Sequence, residues 1–166
     1  IIVGTGLAGY NLAKELRKLD TERELILVTA DDGRFYSKPL LSTGFAKGKE
    51  ADELAMQDAA AMAEQLGARV MTHTRVLHVD TQARTVRTDA GELHYGDLVL
   101  ACGAHARPLP LAEDVQDRVL SINDLSDYGR FRQQLDGRKR VAIIGAGLIG
   151  SEFANDLALG GLEVQV

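Results

Sequence analysis

Two glycine fingerprints of one form, near opposite ends of the chain, limit what it can fold into. Gly4-Thr5-Gly6-Leu7-Ala8-Gly9 runs on to Ala13, and Gly145-Ala146-Gly147-Leu148-Ile149-Gly150 runs on to Ala154. Each follows a short apolar run, Ile1-Ile2-Val3 or Val141-Ala142-Ile143-Ile144, and opens an amphipathic stretch rich in alanine and leucine. Strand, tight turn and helix in that order is the context a dinucleotide-binding unit requires. The first glycine permits the turn, and the second lets backbone approach a pyrophosphate. The third, with the alanine four residues later, lets the helix pack closely on its strand. The pyrophosphate then rests on the N–H groups and positive dipole end of the helix. Two copies in one chain predict two bound dinucleotides, and electron transfer between them.

Composition narrows the class further. With 45% apolar and 26% charged residues the chain reads as globular. No apolar run approaches the roughly 20 residues that span a membrane, and Ile1-Ile2-Val3 is too short for a signal peptide. A net charge of −5 offers no basic footprint for nucleic acid. The single cysteine, Cys102, leaves no intramolecular disulfide and fits a reducing cytoplasm, the expected location. The first residues stand inside a strand-like run without an initiator Met. Leu162-Glu163-Val164-Gln165-Val166 reads as the second strand of the second unit, so a truncated piece of a longer protein is expected.

Between the fingerprints, Leu25-Ile26-Leu27-Val28 reads as a buried parallel strand. Lys38-Pro39-Leu40-Leu41 starts a short helix with Pro in its first turn, and residues 44 to 49 form a loop. Asp52 to Leu66 reads as one helix, stopped by Gly67. Strand-like segments Arg69-Val70-Met71, Arg75 to Val79, Thr85 to Thr88 and Glu92 to Tyr95 predict an antiparallel β-meander over about 69–95. Leu98-Val99-Leu100-Ala101 is again an unbroken apolar strand. Pro108 and Pro110 then bracket a linker to about Val119, and a helix from Asp124 to Leu135 leads to the second fingerprint.

The order of these segments carries a resemblance. An N-terminal fingerprint, Tyr36-Ser37-Lys38-Pro39 after the second strand, Ala101-Cys102-Gly103-Ala104, and a second fingerprint followed by Glu152 resemble the FAD-dependent pyridine nucleotide reductases. The run from Thr29 to Phe45 and the run Gly150-Ser151-Glu152-Phe153-Ala154-Asn155-Asp156-Leu157 are similar to those of the rubredoxin–NAD(+) reductases. The resemblance implies an α/β fold of tandem Rossmann-like domains with an inserted antiparallel β-meander. Residues 1–115 would be the FAD-binding domain, and residues 116–166 the start of an NAD(P)-binding domain.

It also implies roles. Gly4, Thr5, Gly6, Leu7, Ala8 and Gly9 would hold the FAD pyrophosphate, and Gly145, Gly147 and Gly150 the nicotinamide dinucleotide. Where an acidic residue usually takes the ribose hydroxyls, this sequence has Thr29 and Ala30, which are assigned to the ribose and adenine end. Val76 matches the residue whose backbone holds the adenine. Lys38 is expected beside flavin N5, paired with Glu152; the cation would stabilise charge on the reduced ring and the carboxylate would orient it. Cys102 reads as a small buried thiol. His73, His78, His94 and His105 lack metal-ligand spacing, so no metal is expected.

The function implied is an NAD(P)H-dependent FAD flavoprotein reductase, with NADH favoured. Hydride passes from nicotinamide to flavin, and electrons then pass singly to a small iron protein, rubredoxin first. Ser37 to Phe45 contains no Cys, so a thiol relay to a disulfide substrate is not expected there. A ferredoxin or flavorubredoxin reductase of the same family is the nearest alternative. A non-catalytic dinucleotide-binding fragment is the alternative of another class.

Overall fold

A computed structural model describes residues 1–107, 109–112, 115 and 118–166; Pro108 of the expected linker lies outside the described residues. The chain forms two compact units. One comprises Ile1–Tyr36 and Met56–Ala104, the other Ser37–Ala55 and His105–Val166. Compactness therefore follows a different line from the linear division expected near residue 115, because Ser37–Ala55 packs with the second half. Among the described residues no helix is long and apolar enough to cross a membrane.

The first unit is built on a four-stranded parallel sheet. Its order is Arg69–Met71, Ile26–Val28, Ile2–Val3, Val99–Leu100. Helix Leu7–Leu19 follows the first fingerprint and inserts Gly9, Tyr10 and Ala13 toward the sheet. Tyr10, Leu27, Phe35, Met62 and Leu66 form the buried core with Ile2 and Leu25, and the Tyr10 and Phe35 rings meet edge to face at 5.6 Å. An edge-to-face pair adds about 1 kcal/mol to the area it buries.

Three expectations are corrected here. Arg69–Met71 does not belong to the meander; it pairs in parallel with Ile26–Val28, and its start is fixed by Arg69 N–H donating to the Leu25 carbonyl at 2.9 Å. The antiparallel meander has three strands, Val76–Asp80, Thr85–Thr88 and Gly91–His94, with Val86 buried at its centre. The single helix expected over 52–66 is two, Ala51–Leu54 and Ala59–Leu66, separated by an extended Ala55–Gln57. The break falls where Asp58 turns its carboxylate onto the Ala61 N–H at 2.8 Å, an N-cap that restarts the helix. Gly67 ends it in the left-handed conformation, at φ 52°. Strand Val99–Leu100 forms as expected but is not buried on both faces, with Leu100 66% exposed.

The second unit repeats the strand–turn–helix theme. Arg140–Ala142 and Glu163–Gln165 pair in parallel around helix Leu148–Leu159. Helix Leu125–Leu135 begins at Asp124, whose carboxylate accepts the Asp127 N–H at 2.8 Å. Phe131 meets Phe153 of helix Leu148–Leu159 edge to face at 5.9 Å. The segment from Ser37 contributes a 3₁₀ helix, Lys38–Ser42, with Pro39 in its first turn, and helix Ala51–Leu54.

Candidate functional site

In the first fingerprint the three glycines serve different needs. Gly4 has φ +107°, and a Cβ there would collide with the Ala101 carbonyl; a Cβ on Gly9 would collide with the Gly4 carbonyl. The protein's own packing closes both positions to side chains. Gly6 is different: it caps the helix at φ −67°, and a Cβ there would meet nothing within 4 Å. Neither conformation nor packing inside the unit asks for glycine at that position. No side chain caps the helix start, and its first turn carries no acidic residue, so its leading N–H groups stay open to an anion.

The second fingerprint has the same form. Gly145 has φ +116°, Gly150 abuts the Gly145 carbonyl, and Gly147 caps its helix at φ −74° with nothing within 4 Å of a built Cβ. That helix start also lacks a side-chain cap and a first-turn acid. Bare, acid-free helix starts with room above the middle glycine fit the pyrophosphates of FAD and of a nicotinamide dinucleotide.

The expected ribose end is assembled around a residue that the sequence did not single out. Thr29, buried, donates its hydroxyl to Asp31 Oδ1 at 2.6 Å. The same oxygen accepts the Gly33 N–H at 2.9 Å and the Thr5 hydroxyl at 3.4 Å. Asp31 thus ties the first fingerprint to the end of the second strand, while Ala30 is exposed beside it. The chain entering the meander passes alongside, Thr74 N–H donating to the Thr29 carbonyl at 2.8 Å and His73 N–H to the Asp31 carbonyl at 2.8 Å. Val76 follows two residues later, at a register irregularity between Val76 and His78. Leu7 and Ala8 open the first fingerprint helix. Thr5, Gly6, Thr29 and the approach to Val76 are thereby brought together at the carboxyl ends of the central strands, where the strand order reverses and ligands of this architecture sit.

Tyr10, fully buried, donates its hydroxyl to the Gly33 carbonyl at 2.5 Å and so holds the Asp31–Gly33 turn. Burial, then the nearby Asp31, Asp32 and Asp58, push its phenol up to about 12.

The ion pair expected between Lys38 and Glu152 is not formed. Lys38 Nζ donates to Asn123 Oδ1 at 2.7 Å, and Glu152 Oε2 accepts the Ser42 hydroxyl at 2.8 Å. Ser42 closes the 3₁₀ helix that Lys38 opens, so Glu152 reaches the Lys38 segment through a hydroxyl rather than through the cation. Both charges are exposed, and two solvated groups gain little by direct pairing. Ser42 and Asn123 had no signal in the sequence beyond being small polar residues in loops. Cys102 is exposed, not buried, because the strand before it ends at Leu100 and Gly103 turns the chain away at φ +68°.

Two uncapped helix starts that follow a glycine turn, one in each unit, are the geometry on which the comparisons bear. The sequence matches the family described as pyridine nucleotide-disulphide oxidoreductase across residues 1–166, and the chain belongs to that family. It is 51% identical over 166 residues to a rubredoxin-NAD(+) reductase of Alcanivorax borkumensis, covering 100% of this chain and 44% of that protein. It is 39% identical to a nitric oxide reductase FlRd-NAD(+) reductase of Klebsiella pneumoniae, again over 100% of this chain and 44% of the relative. Among solved structures, the ferredoxin reductase for the CYP199A2 system of Rhodopseudomonas palustris superposes with a TM-score of 0.87 at 30% identity, covering 98% of this chain and 40% of that one. The chain therefore spans less than half the length of these relatives.

Proposed function

We propose that this chain is the dinucleotide-binding portion of an NADH-dependent flavoprotein reductase of the cytoplasm that delivers electrons to rubredoxin. The observation that carries the reading is the pair of middle glycines, Gly6 and Gly147. Each stands at an uncapped, acid-free helix start where, among the described residues, nothing lies within 4 Å of a built Cβ. The 51% identity to a rubredoxin-NAD(+) reductase supports the acceptor.

Bound at the first fingerprint, FAD would supply two-electron acceptance from NADH and one-electron release. The chain's own part is binding and electrostatics. Leu7, Ala8 and Gly9 present helix-start backbone to the first pyrophosphate; Gly145, Gly147 and Gly150 shape the second site for NADH. Thr29, its proton engaged by Asp31, offers lone pairs to a ribose hydroxyl. Val76 offers backbone to the adenine. Lys38 places a positive charge at the reactive ring, and Glu152 holds the Lys38 segment through Ser42. Residues 1–115 serve FAD and residues 116–166 begin the nicotinamide domain. The Klebsiella pneumoniae relative favours flavorubredoxin as the second acceptor to try.

Anaerobic titration of the full-length protein with NADH, followed by flavin absorbance, tests this. Wild type should purify yellow, bleach with NADH and then reduce rubredoxin. Gly6→Val should purify colourless, and Gly147→Val should stay yellow and bleach poorly. Reversed phenotypes would overturn the assignment of the two sites. A yellow wild type that NADH never bleaches would leave a non-catalytic binder.

A further inference from the structure

Asp156 is a buried carboxylate that none of the roles above uses. It lies one turn beyond Glu152 on helix Leu148–Leu159, 5% exposed, on a helix that also buries Phe153 and Leu157. An unpaired charge in such a place is costly unless its oxygens are satisfied. They are satisfied by backbone: Oδ2 accepts the Phe45 N–H at 2.7 Å and Oδ1 the Ala46 N–H at 3.2 Å. Both donors belong to the loop that directly follows the Lys38–Ser42 helix.

Three neighbours hold the same loop within the same unit. The Arg132 guanidinium stacks over the Phe45 ring at 4.7 Å and donates to Glu50 Oε1 at 2.5 Å. Tyr128, fully buried, donates to the Lys49 carbonyl at 3.0 Å. Any side chain on Gly160 would collide with the Phe45 ring. Glu152 through Ser42, and Asp156 through Phe45 and Ala46, thus grip the Lys38 segment at two successive turns of one helix face.

We infer that Asp156 is a positioning residue for Lys38. By accepting two backbone N–H groups of the loop that follows, it fixes the 3₁₀ helix and so the cation that helix opens. The inference rests on the proposed place of Lys38 beside the flavin. It assigns to the second fingerprint helix a second duty, holding the segment that carries Lys38.

The test uses the full-length, FAD-loaded protein and the variants Lys38→Met, Asp156→Asn and the double variant. An Asn has one acceptor oxygen where two N–H groups converge, so one is left without a partner. Amide exchange at Phe45 and Ala46 should quicken about tenfold or more in Asp156→Asn. Flavin content should hold, flavin reduction at saturating NADH should slow about tenfold, and the NADH concentration for half-saturation should change little. The double variant should be no slower than Lys38→Met alone.

Unchanged exchange would overturn the clamp. Faster exchange with effects that multiply in the double variant would overturn the positioning of Lys38 while leaving the proposed function standing. A wild-type reduction rate in Lys38→Met would overturn the flavin reading of Lys38 and this inference with it. If Asp156→Asn fails to fold, Arg132→Gln loosens the same loop from a half-buried surface position and should show the same lack of additivity, at about threefold.

Discussion

The two fingerprints are a comparison the molecule makes with itself. Both turn at a glycine of strongly positive φ, +107° at Gly4 and +116° at Gly145, and both press the third glycine onto the carbonyl of the first. They differ in what surrounds the turn. The first is flanked by strands on both sides, and the backbone of Ala101 leaves no room for a Cβ on Gly4. Within this chain, which spans less than half the length of its relatives, the second stands on a two-stranded sheet, and among the described residues nothing lies within 4 Å of the same atom on Gly145. The turn is therefore written in the local sequence, whereas the close approach at its first glycine is imposed by a neighbouring strand.

The largest expected effect follows directly. Gly4→Ala meets both an unfavourable φ and a backbone collision, and should destabilise by about 3–5 kcal/mol. Among the described residues Gly145→Ala meets the φ cost alone, about 1–2 kcal/mol. Urea unfolding midpoints of the two variants would measure the gap. Gly9→Ala and Gly150→Ala face the same collision and should fall together; equal losses for Gly4 and Gly145 would break the comparison.

What the sequence disclosed follows the same division between local and imposed. Fingerprints, the helix starting at Asp124 and the left-handed stop at Gly67 are local features with local causes, and they were legible. Arg69–Met71 was read into the meander because a three-residue strand has no periodicity of its own; a hydrogen bond to Leu25 places it in the parallel sheet. Asp156 was missed because its partners, the Phe45–Ala46 backbone, come from afar, and the tie from Asp31 to the first fingerprint because Thr5 does. A trace of each was present: Asp31-Asp32-Gly33 has the spacing of a side-chain turn, and Asp156 is a second acidic residue one helical turn after Glu152. Lys38 and Glu152 fall in one compact unit although the expected division near residue 115 put them in different domains, and the hydroxyl between them could not be inferred from spacing.

Each unit also buries one tyrosine completely and spends its hydroxyl on a loop carbonyl, Tyr10 on Gly33 and Tyr128 on Lys49. Burial comes first in raising both phenols to about 12, with neighbouring carboxylates adding to it. For Tyr128 the Arg132 charge works in the opposite direction. A phenol whose folded value lies above its unfolded value of 10 favours the native state below pH 10. That contribution is lost as pH rises through about 12. Tyr10→Phe and Tyr128→Phe should each cost about 1 kcal/mol at neutral pH and flatten the alkaline fall in stability. Urea midpoints at neutral pH and between pH 10 and 12 would show it, and a variant with the wild-type slope would remove that tyrosine from the account.

The smallest effect is expected at Cys102, beside the strand that crowds the first fingerprint. Its backbone, not its side chain, stands close to Gly4, and its thiol is exposed. Cys102→Ser should therefore change stability by no more than about 0.5 kcal/mol and leave flavin content unaltered. A thiol reagent should titrate it in the native protein before denaturant is added. The segment Ser37 to Phe45 carries no cysteine, so the proposed electron route to rubredoxin does not involve Cys102, and the variant should reduce rubredoxin at the wild-type rate. Glutathione disulfide should not be turned over by either form, although the family includes disulphide reductases by its description. Turnover abolished by Cys102→Ser would replace the one-electron acceptor with a thiol route. Loss of FAD without loss of stability would mean that the thiol itself, and not only the backbone at Ala101 and Cys102, shapes the first turn. The crowding at the first fingerprint would then extend from the fold to the ligand.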